Sequence, residues 1–354
     1  MTVLGVLPLG NRFCACAQIA GSFSDSCPGV YALSALFFVQ FYGLSLLNQS
    51  THPALHAELV AVLAAVNAGQ PRVLTTCSGQ ALPAGPFQMV HRSLQAGLRT
   101  WVESQTQHTL GYVEQLYTFA DREREEAAHV LSISYLGLTC EPEDSPPGAT
   151  SWQDWYSFFP WEDWRQGVPQ VLQTCILPYL QQWVQEAPSP ELQQSRQARV
   201  SMQFGSDDQG WNEELVLQRY ELLFEAGLIE EAARRDIPVR GQVPGRAMVH
   251  DHRRILATGM ARLRAKIKYR PVVFELMPPE FTLLQLQQTV EALAGRVLHK
   301  QNFRRLIEQQ ALVEETGHMT AGAAGRPAKL FRFRSDVLLE RAMAGSKLPL
   351  ARAS

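Results

Sequence analysis

The sequence predicts an α+β chain, and three observations carry that prediction. Short apolar runs surround one stretch of helical periodicity between residues 57 and 140. Residues 168–231 are helical in pattern, and the last hundred residues join two helices to a hairpin signal. At 354 residues and 46% hydrophobic composition, the chain has material for two domains, or for one domain with a large insertion.

The first segment, residues 1–56, is an apolar extension. No Asp, Glu, Lys or Arg occurs from Ser26 to Ala57, and Val30 to Leu47 is nearly all apolar. Its length would allow one membrane span. Ser34, Gln40 and Ser45 interrupt it, and the basic start of a secretory signal is missing. The expectation is a buried or functionless extension, an extended translation start included, with a single-span anchor as the alternative.

Residues 57–140 read as a compact mixed domain. Leu59–Leu63 and Arg72–Thr76 are strands around the turn Asn67-Ala68-Gly69. Leu82 to Phe87 turns from strand toward a helix, which Leu94, Leu98, Trp101 and Val102 mark at helical spacing. Tyr112–Phe119 and Val130–Thr139 are strands, with Asp121 to Glu126 as a charged loop between them.

Residues 141–246 read as a mainly helical insertion that opens with a Pro-rich and acid-rich run. Trp152, Trp155, Tyr156, Phe158, Phe159, Trp161 and Trp164 crowd together, and 152, 155, 156 and 159 would share one helical face. Bases can stack on such rings. Asp154, Glu162 and Asp163 interleave with them, which favours packing or a subunit interface over nucleic acid. Helices are expected over 168–185 and 212–231, with loops between them, and residues 240–246 read as a linker.

Residues 247–277 form a closing helix and connector. His250-Asp251-His252 offers two metal ligands without a third, so Asp251 as a helix cap is the favoured reading. Arg262, Arg264, Lys266, Lys268 and Arg270 are candidates for phosphate contacts or for a solvated face.

Residues 278–340 carry the most specific pattern, and 341–354 are a tail. Thr282 can cap a helix, Gln285 can reach back to it, and Phe281 can staple onto Leu286. Leu283, Leu286, Val290 and Leu293 continue at helical spacing to Gly295, where a left-handed stop is wanted. A second helix over 300–310 sets Phe303, Leu306, Ile307 and Gln310 on one side and Gln301, Arg304, Arg305 and Glu308 on the other. A small-residue loop from Gly317 to Gly325 and the strand 329–334 add a wing.

This is a winged helix-turn-helix. A major groove accepts one helix, whose Arg or Asn side chains bond base edges while a basic wing lies on phosphate. The candidate DNA contacts are Lys300, Gln301, Asn302, Arg304, Arg305, Arg326 and Lys329. A packing or protein-docking unit would share the pattern, but basic residues on both helix and wing favour DNA. Charge distribution agrees: residues 251–354 hold 18 Lys and Arg against 9 Asp and Glu, and residues 1–250 hold 14 against 25.

The runs 276–283, 300–305 and 325–333 resemble the winged-helix half of the Nudix-related transcriptional regulators of NAD metabolism, the NrtR type. Residues 111–119 and 132–136 look like that family's sheet. The resemblance implies a Nudix-like α/β/α sandwich with a helical insertion, followed by the winged helix. It further implies a cytoplasmic homodimer that binds a double-stranded DNA operator and senses an ADP-ribose-type nucleotide. His299 departs from the family pattern, in which Asp starts the second helix.

A Nudix hydrolase needs several carboxylates on one helix to hold Mg²⁺ or Mn²⁺ against a pyrophosphate. Here Arg99 and Glu103 survive, while Thr100, Ser104 and Thr106 stand where two glutamates and a glycine are wanted. Catalysis and a bound metal are therefore not expected. A nucleotide pocket lined by Gly85, Arg99, Glu103, Tyr117 and Arg122 is, although Arg99 and Glu103 alone would also suit an ordinary i,i+4 pair.

Six cysteines without CxxC spacing indicate neither a zinc ribbon nor a disulfide framework. No P-loop, nucleophile elbow or dinucleotide GxGxxG appears. The expected function is a regulator, most simply a repressor, of NAD-related genes, with no cofactor and no membrane. The alternatives are an ADP-ribose or dinucleotide pyrophosphatase with an accessory winged helix, and a membrane-anchored interaction protein.

Overall fold

The computed structural model describes residues 54–106, 110–125, 128–140, 150–205, 210–269, 272–320 and 327–334. Residues 1–53, most of the expected extension, and the tail 341–354 lie outside the described residues.

A six-stranded sheet organises the body, and its centre is the long strand β1 (Ala54–Asn67). Residues Leu59 to Ala65 of β1 are at most 1% exposed, as an uninterrupted apolar run buried on both faces should be. Alternation then sorts them. Val60, Val62 and Ala64 join one core cluster, and Leu59, Ala61, Leu63 and Ala65 join another.

β2 (Gln70–Thr76) returns antiparallel through Ala68 and Gly69, both at positive φ as a two-residue hairpin turn requires. The short β3 (Ala84–Pro86) pairs with β1 beside it. Helix α1 (Leu94–Thr106) covers one face with Leu98 and Val102. β4 (Tyr112–Glu125) and β5 (Ala128–Leu138) complete the other half, β5 running parallel to β1.

The fold departs from the sequence expectation at two places. Asp121 to Glu125 belong to β4 rather than to a loop, because their backbone pairs with β5, Asp121 opposite Val130 and Glu125 opposite Ala128. The tryptophan-rich run is not a helical face. Trp152 lies in strand β6 (Thr150–Asp154), which pairs with β2, and Trp155–Ser157 and Pro160–Glu162 are separate 3₁₀ turns. Asp154 caps the first turn at the amide of Tyr156. Trp155, Phe158, Phe159 and Trp161 are at most 1% exposed, so these rings pack and do not stack on a partner.

Three helices follow. α2 (Leu177–Gln185) is entered through a π-helical turn at Leu172–Ile176. α3 (Pro190–Phe204), which sequence periodicity missed, starts on the Ser189 cap with Pro at its first position. α4 (Val216–Glu225) is shorter than expected. Residues 240–246 are irregular but anchored: Val243 is buried and its amide donates to Leu228 O (2.9 Å).

α5 (His252–Tyr269) packs on the second face of the sheet, making the α/β/α sandwich. It approaches β1 at Gly259, where any Cβ would meet Val62 at 2.9 Å. The imidazole Nδ1 of His252 accepts from the amide of Leu82 (2.9 Å). Among the described residues no cluster of three His, Cys, Asp or Glu is placed to hold a metal.

Three basic residues of α5 have acidic partners within the fold. Arg264 is buried against Glu162, Lys266 pairs with Glu114, and Lys268 with Glu213 and Glu214, so these three are not a phosphate-binding face. Burial opposes the charge on Glu114, yet the Lys266 ammonium and Tyr112 hydroxyl hold its carboxyl below the usual value. Glu213 is lowered against its burial by Lys268, and Lys268 is raised against its burial by Glu213 and Glu214. No described helix is long and apolar enough to cross a membrane.

Candidate nucleic-acid interface

The carboxy-terminal module is built on α6 (Leu283–Ala294), α7 (Lys300–Gln309) and the hairpin of β7 (Val313–Met319) with β8 (Lys329–Phe333). α6 begins with the complete capping box of Thr282 and Gln285 and ends on Gly295 at φ 72°. Phe281 ties the connector to the wing: its amide donates to Phe331 O (2.9 Å), and the Phe331 amide donates back (2.8 Å). The rings of Phe281 and Phe333 lie 4.4 Å apart.

α7 buries Phe303 and Ile307 and exposes Lys300, Gln301, Asn302, Arg304, Arg305 and Glu308. Spacing of four between the two anchors fixes which side faces outward. The helix starts at His299, whose side chain makes no cap bond. The turn before it is set from α6: Gln287 Nε2 donates to Leu298 O (3.1 Å), and the Leu298 amide donates to Glu291 Oε1 (2.8 Å). Neither Gln287 nor Glu291 stood out in the sequence.

The wing is longer than its sequence pattern suggested, with β7 running on to Met319. Lys329 is exposed but paired across the strands with Glu315 (2.8 Å), and Arg332 with Glu314 (2.7 Å). Arg326 lies outside the described residues.

The expected nucleotide-lining residues lie on β3, α1 and β4. Gly85 is buried, and a Cβ there would strike the Trp101 ring, so its smallness serves helix-to-strand packing. Arg99 does not pair with Glu103. Its guanidinium donates to Leu110 O and, at 3.1 Å, to Gly111 O, pinning the entry to β4. Glu103 is exposed as the single carboxylate of α1. Thr100, Ser104 and Thr106 turn their hydroxyls back onto carbonyls of the same helix, at 3.0, 2.9 and 2.7 Å.

Tyr117 is 59% exposed, with its ring 6.3 Å from Phe119, which belongs to the core cluster under α5. Arg122 contributes backbone to β4, and its side chain lies outside what is described. A Nudix metal cage does not fit α1, because one carboxylate cannot compensate two divalent charges.

Comparison with known proteins bears on the module just described. Residues 273–333 match the family model of the NrtR DNA-binding winged helix domain. Over 86 residues the chain is 41% identical to the ADPR responsive transcriptional repressor NtrR of Acinetobacter baylyi, a match covering 24% of this chain and 34% of that protein. The chain thus spans about a third of the length of this curated relative.

Among solved structures, NrtR of Shewanella oneidensis complexed with a 27mer DNA aligns at TM-score 0.48 and 19% identity, over 79% of this chain and 94% of that one. A MutT/nudix family protein from Enterococcus faecalis aligns at TM-score 0.46 and 15% identity, over 80% and 89%. Residues 273–333, which hold α6, α7 and the β7–β8 hairpin, are thus similar to the NrtR-type winged-helix domain.

Proposed function

We propose that this protein is a DNA-binding transcriptional regulator, a repressor of NAD-related genes, acting as a cytoplasmic homodimer on a two-part operator. The observation that carries the reading is the outward edge of α7. Lys300, Arg304 and Arg305 stand exposed on a helix anchored by Phe303 and Ile307, within residues that match a DNA-binding family model. The phosphate-facing cations supply sequence-independent attraction, and Gln301, Asn302 and the arginines reach base edges. Arg326 and Lys329 place the wing on the backbone.

The α/β body is proposed to sense an ADP-ribose-type nucleotide near α1, with Gly85, Arg99, Glu103, Tyr117 and Arg122 as its lining. The regulatory name of the Acinetobacter relative supports this reading. A helix with one carboxylate, its neighbouring hydroxyls bonded to their own backbone, supports binding without hydrolysis.

The test is a mobility-shift assay on pooled intergenic duplexes from upstream of NAD-metabolism genes, with and without ADP-ribose. Selective retention of a palindromic duplex that ADP-ribose alters is the expected result. Failure to retain any duplex at low salt overturns the reading. Turnover of ADP-ribose with Mn²⁺ that Glu103→Gln abolishes would replace it with the hydrolase.

A further inference from the structure

The carboxyl end of α6 is held from outside its own domain. Tyr156 Oη donates to Ala292 O (2.7 Å), Arg264 Nε to Leu293 O (3.0 Å), and the Trp164 amide to Gly295 O (2.7 Å). A helix end leaves its last carbonyls without intrahelical donors, and here three donors come from the body. Arg264 also brings a buried cation to the negative end of the helix dipole.

Arg264 is itself held in place. Its side chain and that of Glu162 are both 0% exposed, with Nη1 2.6 Å from Glu162 Oε2. The same carboxylate receives Arg219 Nε and Nη2 at 2.6 and 2.9 Å. One buried carboxylate therefore joins α4, α5 and the 3₁₀ turn at Pro160–Glu162, and through Arg264 it reaches α6. The approach is close: a Cβ on Gly295 would lie 2.5 Å from Glu162 O, 2.7 Å from Arg264 Nη2 and 2.8 Å from Tyr156 Oη.

From Gly295 the connection to α7 is short and fixed by Gln287 and Glu291. The path from the body to α7 thus runs through buried and half-buried hydrogen bonds.

We propose that Tyr156, Glu162 and Arg264 are positioning residues for α7. They weld α6 to the α/β body, so that body and winged helix turn as one piece. The functional half of this proposal rests on the DNA-binding reading above. The rigid-coupling half does not.

Hydrogen exchange on the full-length protein separates the two. Tyr156→Phe keeps the ring and removes its bonds to Ala292 and Arg264. It should speed exchange across residues 292–309 by about 3- to 10-fold, the scale of one lost buried hydrogen bond, while β1 and β5 stay unchanged. Affinity for a retained duplex should fall by a similar factor.

Equal acceleration of β1, β5 and α7 would mean that Tyr156 is only a core residue, and no change at 292–309 would mean that the bonds position nothing; either result overturns the coupling. Local acceleration with unaltered duplex affinity overturns the positioning role. Gly295→Ala, which intrudes on the same contacts from the other side, should reproduce the local pattern, and a uniform one counts against the proposal. If the wild-type protein retains no duplex, the DNA-binding reading fails while exchange still decides the coupling.

Discussion

Lys329 of β8 reaches across the wing to Glu315 of β7, with Nζ 2.8 Å from Oε1, and both side chains are more than half exposed. An exposed pair of this kind holds its partners weakly. In a complex with DNA it would compete with a phosphate for the same ammonium. Glu315→Gln should therefore tighten duplex binding a few-fold at ordinary salt and steepen the dependence of log K on log salt by about 1. A titration series at four salt concentrations checks this, and an unchanged slope would remove Lys329 from the interface.

Arg304 and Arg305 point away from the Phe303 and Ile307 anchors. Replacing either by Ala should weaken binding to a specific duplex by about 1 to 3 kcal/mol if it reads a base, and more uniformly across sequences if it meets a phosphate. Comparing affinities for cognate and scrambled duplexes separates these cases. Wild-type affinity in both variants would show that the helix is presented differently.

His299 occupies the cap position of α7 without capping it. Asp there would offer an acceptor to the amides of Gln301 or Asn302 and a negative charge to the helix start. His299→Asp should stabilise the fold by about 1 kcal/mol, read as a higher urea midpoint. A lower midpoint would mean that the imidazole has a packing role.

Two ion pairs of the same chemistry differ in surroundings. Glu162 with Arg219 is fully buried, whereas Glu225 with Arg199 lies at the surface. Removing one buried partner strands the other, so Glu162→Gln should cost about 3 to 5 kcal/mol. Glu225→Gln should cost less than about 1 kcal/mol. Equal losses in urea denaturation would contradict the burial assigned to the first pair.

Glu114 and Glu213 are held below the ordinary carboxyl value of 4.5 in the folded chain. The unfolded chain therefore takes up protons first as pH falls. Their contribution is complete above 4.5 and is lost as pH drops through the depressed folded values. Lys268, raised above 10.5, works in the opposite sense: its contribution is complete below 10.5 and lost at higher pH. Urea midpoints should fall on the acid side, and Glu114→Gln with Glu213→Gln should flatten that fall.

Much of the winged helix was legible because its signals are local. Thr282 and Gln285 are three residues apart, and Gly295 needs only its own φ. The β1–β2 turn was legible for the same reason. Arg264 was misread as a surface cation because its partner, Glu162, is 102 residues away. Glu162 itself, an acid set among aromatic rings, pointed to packing there but not to its distant cations.

α3 escaped because it buries little besides Val200, Gln203 and Phe204, too few to impose an apolar period. Two of the expected lining residues have packing partners that lie apart in sequence. Gly85 is explained by Trp101, and Arg99 by two carbonyls before β4.

The pairing of β6 with β2 has a consequence for shortening this protein. Five residue pairs, from Arg72 with Asp154 to Thr76 with Thr150, cover a strand edge that would otherwise stand open. Excising 141–246 to shorten the chain would strip that cover and offer β2 to any neighbouring chain. The region is part of the scaffold, and a trimmed version would have to bring its own border strand.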